Sequence, residues 1–417
     1  MQCTFWWTGD GTKRVNNWGP WIASNILFTV AVIEKDDAIR EKVVDRVLTT
    51  LDNFLKEYSV EGGCDEGTSY WKAAGGALFD CLEMLEEMSC GKINFWNEPI
   101  IKNIGEYIAK MNINGDMFLN FADAAPRLTL SAELLERFGR KTSSDVLIGF
   151  AKKHYSGQVQ IEPAHMYRGI KDLCSPAPKK EAWDMPLSNY LGDIKVMTAR
   201  ECGDTERGTF LGAKGGTNGE SHNHNDVGNF VVYRNGKPVI IDTGVGVYTK
   251  KTFSGERYSL WFMQSGYHNL PSFGGVDQKD GVAFCSCDES YNAETSSFSA
   301  EISGAYPKEA GLVSYRRTVA LSGDTVTVTD DYKTAGETEC VFHLMSSTRP
   351  ELMGDGKISL NEGMLLSYDE NLSAEIEEFD PVGMDSVKLW ETEKLYRIKL
   401  TAHGDSGCYT FRIHPEK

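Results

Sequence analysis

Apolar and polar positions change their period partway along the chain. In the first part the period is helical. An apolar run from Trp21 to Val32 follows Pro20, whose fixed φ suits a first helical turn. Asp36 and Asp37 then open a second helix. Its apolar positions, Ile39, Val43, Val44, Val47, Leu48, Leu51, Phe54, Leu55 and Tyr58, recur at spacings of three and four. Gly62-Gly63 breaks that pattern. A third helix is predicted from Ser69 to about Met88, through Ala73, Ala77, Leu78, Cys81, Leu82 and Leu85. Further helical stretches fall near 98–112, 129–138 and 142–155. A succession of such helices predicts a bundle or an α/α toroid.

Residues 158–190 read as a connector, with Pro163, Pro176, Pro178 and Pro186 and the charged run Lys179-Lys180-Glu181. Beyond it the period falls to two. Val313, Tyr315, Arg317, Val319 and Leu321 alternate with Ser314, Arg316, Thr318 and Ala320, then Ser322-Gly323-Asp324 turns and Val326 and Val328 resume the alternation. Short strands are also predicted at 228–234, 238–242, 340–345, 395–401 and 408–413. The expected fold is therefore α+β. A helical, toroid-like domain spans 1–157, a connector 158–190, and an antiparallel β-sandwich 191–417.

Composition narrows the function classes. With 417 residues and 41% hydrophobic positions, the chain is long enough for two substantial cores. Its formal charge of −17 argues against nucleic acid as a partner, because binding there comes from neutralising phosphates. The ten cysteines are scattered without a CxxC pair. They read as free thiols in a reducing compartment. The first ten residues lack a basic segment followed by an apolar run, and no stretch reaches the length of a membrane helix. The expectation is a cytoplasmic protein away from membranes, or a periplasmic or secreted one if a native leader precedes this sequence.

The candidate chemistry concentrates at Ser221-His222-Asn223-His224-Asn225-Asp226, just before the apolar strand starting at Val227. Asp242 follows the apolar segment Val239-Ile240-Ile241, and His268 comes later. Two imidazoles and a carboxylate from separate strand ends suit Zn²⁺. Spacing alone leaves two triads open. One is His224, Asp242 and His268; the other is His224, Asp226 and His268, like the facial triad of a non-haem iron oxygenase.

Several separated elements share an order with one known family. They are His222-x-His224-x-Asp226, Gly-Lys-Pro-Val-Ile-Ile-Asp242-Thr-Gly, Tyr248, Phe-Ser-x-x-Arg257-Tyr258, Ser265-x-x-His268-Asn269 and Asp277-Gln278. Together they resemble the C-terminal module of heparinase II/III-like polysaccharide lyases. In the helical half, Asn16-Asn17-Trp18 and Asp65-Glu66-Gly67-Thr68-Ser69-Tyr70 resemble that family's helix-start motifs less densely. Family members often carry His after the Asn, where this chain has Trp18, and their helical domain is usually longer. The resemblance therefore suggests a truncated member.

The resemblance implies β-elimination on a uronic-acid-containing polysaccharide. It makes Asn17, Tyr70 and His222 catalytic: Asn17 neutralises the uronate carboxylate, and Tyr70 and His222 share the proton transfers. It makes His224, Asp242 and His268 ligands of a structural zinc. Arg257, Tyr258, Tyr248 and Trp18 are candidate substrate-binding residues, and Trp6, Trp7, Trp71 and Trp261 candidate sugar-stacking ones. The expected partner is an acidic polysaccharide or oligosaccharide, with homo-oligomerisation left open. The alternatives are the iron oxygenase using His224, Asp226 and His268, and a non-catalytic carbohydrate-binding protein.

Overall fold

The structure is a computed structural model that describes residues 5–10, 15–159 and 161–416. The chain divides into two compact units, one of Met1–Met111 with Leu128–Trp183, the other of Asn112–Arg127 with Asp184–Lys417. This differs from the expected division at two places. Residues 112–127 leave the helical sequence to join the strands. Much of the expected connector, up to Trp183, belongs to the helical unit.

The helical unit contains α1 (Trp18–Ile33), α2 (Asp37–Lys56), α3 (Gly75–Met88), α4 (Pro99–Lys110), α5 (Ala132–Thr142), α6 (Asp145–His154) and α7 (Met166–Cys174). Local chemistry sets several starts. The Asp36 side chain accepts from the Ala38 amide, Ser131 from Leu134 and Ser144 from Leu147, each satisfying an otherwise orphaned helix donor. Helix α3 begins later than the sequence pattern predicts. Trp71 is fully buried and its indole donates to the Ile104 carbonyl at 2.7 Å. Gly75 leaves room for that ring, since a Cβ there would stand 2.8 Å from the indole nitrogen. Trp71 is thus a core residue, not a sugar-stacking one.

Helix α7 was not predicted, because the prolines around it make the whole segment read as a connector. Met166, Ile170 and Leu173 are exposed, whereas Arg168 and Asp172 are buried. Arg168 pairs with Asp80 at 2.7 Å, and Asp172 accepts from Ser131 at 2.6 Å and pairs with Arg137. Its apolar residues recur at helical spacing but face outward, and buried ion pairs seat the helix.

In the second unit, β1 (Asn112–Asn114) and β2 (Met117–Phe118) form a small hairpin. A five-stranded antiparallel sheet runs β3 (Ser188–Leu191), β4 (Val196–Arg200), β5 (Thr209–Lys214), β7 (Phe230–Arg234), β8 (Lys237–Ile240). The short β6 (Thr217–Asn218) lies between β5 and β7 in sequence and pairs with β10 (Gly281–Cys285). The larger sheet has ten strands. They are β9 (Pro271–Phe273), β11 (Cys287–Asn292), β12 (Ser297–Glu301), β13 (Leu312–Ser322), β14 (Thr325–Ser346), β15 (Glu351–Gly354), β16 (Lys357–Ser359), β17 (Met364–Ser367), β18 (Ser373–Phe379) and β19 (Leu395–Pro415).

Two expected strand pairs prove to be continuous. The segments around 326–330 and 340–345 are both part of β14, and 395–401 and 408–413 both part of β19. The two pair antiparallel from Val326↔Ile413 to Ser346↔Tyr396, with a register shift between Lys333 and Thr338. That irregularity falls at Gly336. One hydrophobic cluster draws on both sheets, with Met197, Leu211, Phe230 and Val232 from the smaller and Phe298, Tyr315, Val328 and Ile398 from the larger. Inside it, Arg317 donates two bonds to Asp330 at 2.7 Å and others to the Gly228 and Asn269 carbonyls.

Candidate catalytic and metal centre

The His222–Asp226 segment lies in the loop between β6 and β7. Its asparagines hold it in place. Asn218 accepts from the Asp226 amide at 3.1 Å and donates to Gln278 at 3.0 Å. Gln278 in turn bonds both the amide and the carbonyl of Val227. Asn223 donates to the Asn218 carbonyl at 2.8 Å. His222 sits at φ 55, in the left-handed region that non-glycine residues seldom adopt. These side-chain bonds stand in for ladder pairing, so the loop keeps a fixed, non-strand shape.

His224, Asp242 and His268 converge. One ligand atom from each lies within 4.8 Å of the others, and all three residues are buried. His224 comes from the loop, Asp242 from the end of β8, and His268 from the close of a 3₁₀ turn at Ser265–Tyr267. Asn269, at φ 57, fixes that corner. Its amide donates to the Phe230 and Ile241 carbonyls, and its oxygen accepts from the Met345 amide.

The donor set fits a divalent cation. His268 Nε2 donates to the Phe262 carbonyl at 3.0 Å, so a neutral ring turns the Nδ1 lone pair toward Asp242, 3.1 Å away. A lone pair against a carboxylate requires a proton or a metal between them. His224 Nε2 donates to Asp123 at 2.9 Å, while its buried Nδ1 has no hydrogen-bond partner. Each imidazole therefore has one nitrogen held by the protein and the other aimed inward, as metal-binding histidines do. Without a cation, burial and the neighbouring His268 push His224 below the usual imidazole range despite Asp123. Burial would lower His268 as well, but Asp242 outweighs it and raises that ring.

Asp226 points elsewhere. Its Oδ1 lies 2.8 Å from the buried Lys214 ammonium. Burial alone would lower Lys214, but Asp226 and Glu220 push it up to about 12. The iron triad of His224, Asp226 and His268 thus gives way to His224, Asp242 and His268, since Asp226 is held by its own cation.

The structure also brings in a residue that sequence reading missed. Asp123, in the loop after β2, is buried and accepts four bonds. His222 Nδ1 (2.7 Å) and the Tyr248 hydroxyl (2.8 Å) meet Oδ2. His224 Nε2 (2.9 Å) and Arg257 Nη2 (2.6 Å) meet Oδ1. Burial would raise this carboxyl, but the bonds from His222 and His224 and the charge of Arg257 hold it well below the usual carboxylate range. A signal existed: Asn114-Gly115-Asp116 flanked by Ile113 and Met117-Phe118 is a hairpin pattern, and Asp123 is a lone carboxylate in an apolar stretch.

Arg257 differs from the expected carboxylate clamp. Its Nε donates to the Asn223 carbonyl, Nη1 to Thr252 and Nη2 to Asp123, so all three nitrogens brace the loop. Tyr248 is 41% exposed and its ring stacks beside His222. Tyr258 is partly buried, and its hydroxyl lies 3.4 Å from Asn223. Trp261 is also packed, edge-on against Phe262, Tyr267 and Phe379.

The remaining candidates lie in the helical unit. Asn17 is the buried N-cap of α1, with its side-chain oxygen unpartnered. Trp18 is 43% exposed and packs between Trp6 and Trp21. Trp7 stacks on Phe5. Tyr70 closes a 3₁₀ turn at Thr68–Tyr70, partly buried.

Residues 178–381 match the sequence family described as heparinase II/III-like, C-terminal. The chain carries a heparinase II/III-like C-terminal domain. No curated protein matches it in sequence. Among solved structures, a mutant of the heparan sulfate lyase HepC from Pedobacter heparinus is 14% identical, with a TM-score of 0.71 over 98% of this chain and 61% of that one. A structure titled heparinase III is 12% identical, with a TM-score of 0.70 over 98% and 62%. Chondroitin AC lyase from Streptomyces coelicolor A3, solved in complex with chondroitin sulphate, is 11% identical, with a TM-score of 0.53 over 97% and 61%. At these identities the likeness is one of fold. The chain of the heparinase II/III-like domain spans about three-fifths of the length of each of these structures. Among the described residues, no helix is long and apolar enough to cross a membrane, and the nine described cysteines are free.

Proposed function

We propose that this protein is a polysaccharide lyase that cleaves a uronic-acid-containing polysaccharide or oligosaccharide by β-elimination. The observation that carries the reading is His222 itself. It is a partly exposed imidazole whose Nδ1 is engaged by Asp123, on a rigid loop in a domain of a lyase family. An imidazole oriented through one ring nitrogen in that way presents the other for proton transfer.

The reaction removes the C5 proton beside the uronate carboxylate. The electron pair left at C5 forms the C4–C5 double bond, and the C4–O bond breaks. Asn17 would hydrogen-bond the carboxylate as negative charge builds on it. His222 or Tyr70 would take the C5 proton, and Tyr70 would give a proton to the departing oxygen. Tyr248, exposed beside His222, and Trp18 are the residues offered to the sugar. Arg257 serves the loop, not the carboxylate.

His224, Asp242 and His268 would hold Zn²⁺. Its contribution is structural, a charge that keeps three buried polar groups together beneath the His222 loop.

The test is incubation with heparin, heparan sulfate, chondroitin sulfate, hyaluronan, alginate and glucuronan oligomers, followed by the ultraviolet absorbance of the unsaturated uronate. A product from one of them supports the reading. Binding without product across the panel supports a carbohydrate-binding protein instead.

A further inference from the structure

We infer that Asp123 is the positioning residue for His222, and that its single carboxylate couples that ring to the metal ligand His224. The assignment of His222 as a base rests on the lyase reading above; the coupling does not.

Four donors converge on two oxygens. His222 Nδ1 and the Tyr248 hydroxyl share Oδ2, and His224 Nε2 and Arg257 Nη2 share Oδ1. An ionised carboxylate only accepts, so each ring nitrogen facing it must carry a hydrogen. A neutral imidazole has one such hydrogen. Asp123 therefore fixes His222 as the Nδ1–H form and leaves the lone pair on Nε2, the nitrogen turned away from the carboxylate. The same logic fixes His224 as the Nε2–H form and leaves Nδ1 for the metal. One carboxylate thus selects opposite tautomers in two histidines two residues apart.

The backbone agrees with this. His222 is held at φ 55 and Ala122, beside Asp123, at φ 59. Non-glycine residues persist in that region only where surrounding structure dictates it. Arg257 locks the arrangement, joining Asp123 to the Asn223 carbonyl between the two histidines. A displacement of His224 therefore shifts the carboxylate that orients His222. A cation held by His224 would therefore be felt at His222 through Asp123.

Asparagine cannot replace Asp123, because its NH₂ group would face one of the two donor pairs. Asp123→Asn is expected to lower kcat by about 10²–10⁴-fold, the contribution of a positioned general base, while KM holds. Unchanged kcat in a folded D123N protein, or a loss confined to KM, overturns the proposal. The second measurement uses the unaltered full chain. Nuclear magnetic resonance of isotope-labelled imidazole nitrogens reads the His222 tautomer directly, whether or not D123N folds. The Nδ1–H form is expected, and the Nε2–H form overturns the proposal. An Nδ1–H ring in a protein that cleaves no uronate sinks the lyase reading and leaves the positioning role standing.

Discussion

Lys214 Nζ lies 2.8 Å from the Asp226 carboxylate, with both side chains almost wholly buried. The pair takes Asp226 out of the proposed metal centre. Asp226 is two residues from His224 and would satisfy an H-x-D pattern, yet it neutralises a lysine on β5. Asp226→Ala would leave that buried ammonium to Glu220, 3.8 Å away. The expected cost is about 3–5 kcal/mol, as for other buried pairs broken from one side. Urea unfolding would measure it. Metal content should fall no further than unfolding explains. A stable D226A protein that had lost its metal would return Asp226 to the ligand set.

The proposed metal centre predicts a joint loss. His224→Ala would remove a proposed ligand and leave the paired Asp242 and His268, 3.1 Å apart, beside a buried gap. Bound zinc and thermal stability should drop together. A chelator should lower the melting temperature of the parent protein and leave that of H224A unmoved. Full zinc content with normal stability in H224A would sink the assignment.

Tyr70 lies in a short 3₁₀ turn and is partly buried, and Phe keeps its ring. Tyr70→Phe should abolish formation of the unsaturated uronate and leave the melting temperature close to that of the parent. Persisting turnover would pass the acid role to another group.

Acid sensitivity should come in part from His343, a buried residue on β14. Burial first, then the charges of Arg397 and Lys399, push its imidazole down to about 3 from an ordinary 6.5. The folded ring stays neutral where the unfolded ring takes up a proton. Between pH 6.5 and about 3 the unfolded state therefore binds more protons, and stability falls as pH is lowered. The slope reaches about 1.4 kcal/mol per pH unit for one such group. His343→Gln should flatten the loss in urea unfolding across that interval. An unchanged slope would place the acid lability elsewhere.

Much of this protein is legible in its sequence. Helices α1, α2, α4 and α6 follow from apolar spacing and from the residues that start them. Strands such as β13 follow from alternation. The cluster from His222 to Asp226 and the later Asp242 and His268 stood out as chemistry. These features are local: a helix face or a strand face repeats within a few residues, and a polar cluster is visible wherever it falls.

Tertiary structure decided the rest. Helix α7 lies in a proline-rich stretch and is seated by buried charges whose partners no local pattern reports. Arg257 could have faced a substrate or a loop, and only its three bonds show which. Asp242 prevailed over Asp226 because Lys214, from another strand, claimed the nearer carboxylate. Asp123 stands 99 residues from His222 along the chain, yet 2.7 Å from its ring. Periodicity reports which side of an element a residue occupies. It cannot report which distant donor meets it, because that depends on how separate segments pack. The histidines were in the sequence; their tautomers were set by a carboxylate that only folding brought to them.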